Sequence, residues 1–523
     1  MTTRYDTTVE IDDAGPVAHT THGRVRGVMD GPIAVWRSIP YAAPVTGPRR
    51  FRPAEPPEPW DGVRDCVRFG DIAPQTMGTM VPVDSELRMG EDCLWLNVWA
   101  PTEPREPEEP RPVLVWLHGG AYCLGTAAQK IYDGRKLAET GDAVVVTVNY
   151  RIGVLGFLDL SSVVDGCTPN LGLHDQIRAL EWVRENIAAF GGDPDNVTLF
   201  GESSGAGCVT ALLTAPAAAG LFHKAIAQSP PATTVFGRQR AELVAHRFLE
   251  LLDLSPDRAA EVGELSIERL VQAAGVLFDE VPLREPGRLA AAPVVDGELL
   301  PDYPITRFQQ GRSHRVPLII GTNKDEASLF RLFRSPIMPV TPEAVTIMLR
   351  DVAESHPDMS PERVAEIASA YPDLGKARGA LAMSTDAAFR MPAHWVADGH
   401  CTHSMTWVYR FDHATPMLRA ARVGAGHATE LPYVFGNFGT LNHDPTFWLG
   451  GRKQATEVSG RMMRRWLAFA RHGVPAALDG SKHWPPYDRD TRHTLLIDAI
   501  DRVVDDPDRD LHTAWGDQAV GFS

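Results

Sequence analysis

No stretch of ~18 or more apolar residues occurs in this chain of 523 residues, so no segment is expected to span a membrane. Met1 to Thr20 has no apolar core and carries acids early, and no secretory leader is expected there. The six cysteines (Cys66, Cys93, Cys123, Cys167, Cys208, Cys401) form no C-x-x-C pair and no regular spacing. Free thiols in a reducing cytoplasm are the simpler expectation. Cations are in deficit: 51 Lys and Arg face 67 Asp and Glu, a net charge of −16. That balance argues against nucleic acid and anionic membranes as partners. No internal repeat is visible. What remains is an ordinary globular composition, 44% hydrophobic and 23% charged, with length enough for a large core. A monomer is the favoured state.

The most informative segment is Gly201-Glu202-Ser203-Ser204-Gly205, a G-x-S-x-G pattern. Val197 to Phe200 before it is a short apolar run rich in β formers, and Ala206 to Leu213 after it is small and apolar, as a buried helix would be. A serine on a sharp strand-to-helix turn projects its hydroxyl outward, and the flanking glycines leave room where side chains would not fit. The helix that follows aims unpaired N–H groups at the same point.

Strands and helices alternate through the first half. Pro112 to Leu117 and Ala143 to Val148 are near-continuous apolar runs, the pattern of strands covered on both faces. Ile177, Leu180, Val183 and Ile187 recur at helical spacing, and Gly191 to Pro194 closes that helix before the serine strand begins. This is a crossover feeding a parallel sheet. The expected architecture is one domain over residues 1–523: a large, mostly parallel sheet flanked by helices, with lid-like helical excursions near 232–290 and 328–400. Further strands are read at Val316 to Ile320 and Thr406 to Phe411, and Glu103 to Pro112 reads as an exposed Pro-rich loop.

A serine nucleophile needs a base, an acid to orient the base, and donors for the oxyanion. His118-Gly119-Gly120-Ala121 follows a buried strand and supplies a glycine-rich turn with free N–H groups. It resembles the oxyanion-hole motif of α/β-hydrolases, in which the chain order is serine, acid, histidine. His118 itself is expected to position the loop. The acid should follow a later strand, and Gly321-Thr322-Asn323-Lys324-Asp325-Glu326 does so; the residues alone do not choose between Asp325 and Glu326. Among 18 histidines, His427 in the loop Gly424 to Glu430 stands out as a candidate base without being singled out. His400-Cys401-Thr402-His403 is read as a polar surface turn, and no metal or cofactor is expected.

Over nearly its whole length the chain resembles the type B carboxylesterase family, the para-nitrobenzyl esterase and cholinesterase relatives. The matching segments include RSIPYAAPVTGPRRF (37–51), GEDCLWLNVWAP (90–101), VWLHGGAYCLG (115–125), VNYRIGVLGFL (148–158), NLGLHDQIRALEWVRENIAAFGGDPDNVTLFGESSGAG (170–207), GTNKDEASLF (321–330) and HATELPYVFGN (427–437). The resemblance implies an α/β-hydrolase fold and cleavage of carboxylic esters through an acyl-enzyme. It implies Ser203 as nucleophile, Glu326 as acid, His427 as base, and oxyanion donors at the N–H groups of Gly120, Ala121 and Ser204. Ser204 stands where alanine is common, and Gln228-Ser229-Pro230 replaces Q-S-G, keeping the serine that supports the acid in relatives. Secreted relatives pair a cysteine before P-Q with the one in E-D-C-L; here that position is Ala73, and Cys93 has no such partner. The family also contains non-catalytic adhesion proteins, and its triad also supports amide or carbamate cleavage. Cholinesterases hold a cation against a tryptophan in the loop before E-D-C-L, whereas Ala73 to Cys93 contains no aromatic residue, so a small neutral ester is the expected substrate.

Overall fold

The computed structural model describes residues 9–520 except 13, 79–80, 82, 104–108, 356–359, 440–443 and 476–482. Half of the Pro-rich Glu103 to Pro112 loop, and residues 79, 80 and 82 of the Ala73 to Cys93 loop, therefore lie outside the described residues. Among the described residues eleven strands form one sheet. From one edge they run Arg502–Asp505, His493–Ile497, Thr406–Phe411, Leu318–Asn323, Lys224–Gln228, Gly192–Glu202, Arg111–Leu117, Val144–Val148, Trp95–Pro101, Ile33–Pro40 and Val28–Asp30. From His493–Ile497 to Val144–Val148 the pairing is parallel throughout, and the strands outside that run join antiparallel. A small sheet of Glu10–Asp12, Gly15–Thr20, Gly23–Arg26 and Val63–Asp65 stands beside it.

The near-continuous apolar strands are buried on both faces, yet alternation still sorts their side chains. Val113, Val115, Leu117, Val144, Val146, Val148 and Leu199 pack into one layer with Leu173, Ile177 and Leu180 of the Leu171–Asn186 helix. Leu114, Trp116, Val145 and Phe200 pack into the other with Val458, Met462 and Trp466 of the Arg452–His472 helix. The serine-bearing strand runs in the middle, with Phe200 opposite Trp116 on one side and Ile226 on the other.

The strand begins earlier than its apolar run suggests. Gly192 pairs with Arg111, and the register shifts before Val197, where Pro194 cannot donate to the ladder. The Trp95–Pro101 and Ile33–Pro40 strands were not anticipated. Asn97 interrupts the apolar pattern there, and its burial is tolerated because its side chain donates to Thr147 Oγ1 at 2.9 Å and accepts from Ser38 N at 3.0 Å. Both excursions are helical. In the first lie Arg238–Leu251 and Ile267–Arg284; the second runs from Ala327–Phe333 through Pro342–Ser355, Pro361–Ser369 and Ala377–Thr385 to Met391–His400. The last of these is core: Met391, Trp395 and Val396 share a layer with Leu318 and Ile320 of the sheet.

The turn after Gly192–Glu202 tolerates no extra atoms. A Cβ on Gly205 would lie 2.2 Å from Leu117 O, and one on Gly201 would lie 2.7 Å from the Gly205 carbonyl carbon. Gly205→Ala is expected to cost ~1–3 kcal/mol through backbone displacement, read as a lower melting temperature. Gly263→Ala, whose Cβ would meet nothing within 4 Å, should leave the melting temperature unchanged.

Candidate active site

The parallel register brings the C-terminal ends of several strands together, the edge at which α/β sheets carry their sites. Ser203 follows Gly192–Glu202 and precedes the Ser204–Leu212 helix, with φ 56° and ψ −130°. This backbone conformation costs a side-chain-bearing residue ~1–3 kcal/mol and persists because its surroundings impose it. Ser203 N donates to Gln228 O at 2.9 Å on the neighbouring strand, and Ser203 O accepts from Gly207 N at 2.9 Å.

The Ser203 hydroxyl donates to His427 Nε2 at 2.8 Å, and His427 Nδ1 donates to Glu326 Oε2 at 2.7 Å. Glu326 has no solvent exposure. Its other oxygen accepts from Asn323 N at 2.6 Å and from Ser229 Oγ at 2.6 Å. Asp325, the other carboxylate in the segment, binds elsewhere: its Oδ2 accepts from Ala425 N at 3.1 Å, fastening the loop that carries His427. Pro230 does not disturb the strand end, since Ser229 N still donates to Gly321 O at 2.7 Å.

The His118 to Ala121 turn abuts the serine; a Cβ on Gly119 would lie 3.0 Å from Ser203 Cβ. Gly120 has φ 128°, and a Cβ there would lie 2.0 Å from Leu124 O, so only glycine fits. Ala121 has φ 53°. Among the described residues, the N–H groups of Gly120, Ala121 and Ser204 are not spent on any protein acceptor. Gln75 braces the far end of this turn, donating to Gly125 O at 2.9 Å and accepting from Gly125 N at 2.8 Å. His118 is buried, which lowers its pKa to about 4, and it stacks on Tyr150 at 4.4 Å.

Two further carboxylates were not singled out from the sequence. Glu202, the variable residue of the G-x-S-x-G pattern, places Oε1 3.2 Å from His427 Nε2. Burial raises its pKa, against the opposing pull of His427. Glu430, three residues beyond His427, is buried and accepts from Gln228 Nε2 at 3.1 Å and Asn323 Nδ2 at 2.5 Å. Burial by itself would lower the His427 pKa, but Glu202 and Glu326 outweigh it and raise it. The acid inside the motif and the acid beside the histidine were the available signals. His400 is not on a surface turn: it is buried, and Ser313 Oγ lies 2.8 Å from its Nδ1 and 2.9 Å from His403 Nε2. Among the described residues no group of three or more His, Cys, Asp or Glu side chains is arranged to hold a metal ion.

A hydroxyl bonded to a buried imidazole, itself held by a carboxylate, can lose its proton to the ring as it attacks a carbonyl. The comparisons with known proteins agree with that chemistry. The carboxylesterase family model matches residues 14–512. The chain belongs to the carboxylesterase family. It is 37% identical to the para-nitrobenzyl esterase of Bacillus subtilis over 500 residues, 94% of this chain and 96% of the relative. It is 35% identical to the acylcarnitine hydrolase of Mus musculus over 517 residues, 92% of this chain and 88% of the relative. A solved PNB esterase superposes with a TM-score of 0.83 at 35% identity, covering 96% of this chain and 99% of that one. This carboxylesterase is accordingly a serine hydrolase of carboxylic esters.

Glu202 Oε1 and His427 Nε2 lie 3.2 Å apart, so the two groups titrate as a pair. Removing the Glu202 charge removes an attraction that favours imidazolium. Glu202→Gln is therefore expected to move the acid limb of the kcat/KM profile for p-nitrophenyl acetate to lower pH, by about one unit. An unmoved or raised limb would contradict the coupling.

Proposed function

We propose that Ser203 attacks the ester carbonyl while His427 takes its proton, with Glu326 holding the ring and stabilising its charged form. The N–H groups of Gly120, Ala121 and Ser204 receive the developing oxyanion. His427 then passes the proton to the leaving alcohol, and an acyl-serine remains. Water, deprotonated by the same ring, attacks the acyl carbon, and the carboxylic acid leaves as Ser203 regains its proton. No cofactor enters the cycle. The observation that carries this reading is the unbroken chain from Ser203 Oγ through His427 to the fully buried Glu326 carboxylate. The strained serine supports it, because such conformations concentrate at functional sites.

The substrate in this reading is a small neutral ester. Asp84, one of the acids in the Ala73 to Cys93 loop, is paired with Lys130 at 3.0 Å. Val83 and Leu87 of the loop pack against Ile72 and Trp95, which gives it an apolar character. A cytoplasmic home is part of the reading, supported by six free thiols. No helix among the described residues is long and apolar enough to cross a membrane.

Ser203→Ala should fold and lose p-nitrophenyl acetate turnover by ~10³-fold or more. A fluorophosphonate probe should label the wild type and not the variant; undiminished turnover in the variant refutes the assignment. For substrate charge, 3,3-dimethylbutyl acetate should show a higher kcat/KM than its cationic isostere acetylcholine at physiological salt. The reverse order would place a cation site elsewhere in the pocket.

A further inference from the structure

The helix of the second excursion is continuous from Ala377 to His400 but changes pitch over Asp386–Arg390, which forms a π turn. Met391 N donates to Asp386 O, five residues back. Pro392 follows; it has no N–H to give Ala388 O, and its ring would press on that carbonyl in a regular α-helix. The widened turn relieves that contact, and π turns recur at functional sites.

Three residues at this turn touch the segment that carries the acid or the histidine it faces. Thr385 Oγ1 accepts from Ala327 N at 3.1 Å, next to Glu326. The Phe389 ring stacks on His427, with centroids 4.6 Å apart and planes 29° from parallel. Arg390 Nη2 donates to Lys324 O at 2.8 Å and to Asn323 O at 3.3 Å. The other arm of its guanidinium, Nη1, donates to Asp386 Oδ1 at 2.5 Å. Asp386 is itself 2% exposed and accepts from the Tyr371 hydroxyl at 2.8 Å, whose oxygen accepts from Trp515 Nε1 at 2.8 Å. The fork is thus anchored behind as well as in front.

We propose that Arg390 is a positioning residue for the acid arm of the triad: its guanidinium clamps the Asn323 and Lys324 carbonyls so that the turn presents Glu326 to His427. This rests on the triad assignment above. Asn323 is where the clamp acts. Its carbonyl accepts from Arg390, its N–H donates to Glu326 Oε1 at 2.6 Å, and its side chain donates to Gly426 O at 2.7 Å, in the loop before His427. Fixing this one residue sets the acid and the base loop together. Only a planar fork reaches two carbonyls and a carboxylate at once; a lysine is a point charge on a flexible stem.

The test separates positioning from a merely structural ion pair by a double-mutant cycle. Kinetics on p-nitrophenyl acetate and thermal melts are measured for Arg390→Lys and for Arg390→Met combined with Asp386→Asn, which avoids stranding a buried carboxylate. Each is made in the wild type and in Glu326→Gln. The neutral pair is expected to lower kcat by ~10–100-fold with KM within ~3-fold, and Arg390→Lys by ~3–10-fold. In the Glu326→Gln background the same changes should alter kcat by less than ~2-fold, because the group they position is gone. The low-field proton resonance of the His427–Glu326 hydrogen bond should shift or vanish in the Arg390 variants. Wild-type kcat in Arg390→Lys, or equal losses in both backgrounds, would overturn the proposal; if the neutral pair fails to fold, Arg390→Lys decides alone. Should Glu326→Gln itself keep wild-type kcat, the triad assignment fails instead.

Discussion

The sheet edge that carries Ser203 depends on one carboxylate kept out of water. A buried anion is tolerated only when its oxygens are met by donors, and leaving one unmet costs several kcal/mol. Glu326 is met by Asn323 N–H, the Ser229 hydroxyl and the His427 ring, at 2.6, 2.6 and 2.7 Å. Two of these donors stand at the ends of adjacent parallel strands, whose register places Gln228 beside Gly321. The sheet is therefore what makes the buried charge possible, and the buried charge holds the imidazole toward the serine.

The same compartment contains Glu202 and Glu430, so three acids surround one histidine. Neutral side chains separate them. Gln228 donates to Glu430 and accepts from Trp466 Nε1 at 3.1 Å, which ties the polar edge to the Arg452–His472 helix on one face of the sheet. Burial raises the pKa of both Glu202 and Glu430, which lowers the net charge the compartment must bear.

Ser203 with φ 56° and Ala121 with φ 53° are two of the non-glycine residues held at positive φ. Both are held from outside. Tyr150 donates its hydroxyl to His118 O at 2.6 Å, at the base of the oxyanion turn, and the helix after Ser203 packs so closely on Leu117 that Gly205 admits no Cβ. Such bracing fixes the directions of the Gly120, Ala121 and Ser204 N–H groups beside the Ser203 hydroxyl.

Near-continuous apolar strands, the G-E-S-S-G turn and the glycines after His118 are local patterns, and from them the sequence alone determined the parallel sheet, the serine-bearing turn and the glycine-rich turn beside it. Family resemblance was needed to prefer Glu326 over Asp325 and to single out His427, because neighbouring carboxylates after one strand carry the same local signal. Tertiary structure separates them: Asp325 meets the amide of Ala425, while Glu326 meets a ring 101 residues away. Glu202, Glu430 and Arg390 were legible only there. Glu202 reads as an ordinary variable position until burial and His427 are beside it, and Arg390 reads as a charge on a helix until the carbonyls of Asn323 and Lys324 appear 67 and 66 residues upstream. What a short segment can encode is conformation; what an ionisable side chain does depends on dielectric and partners, and folding supplies both.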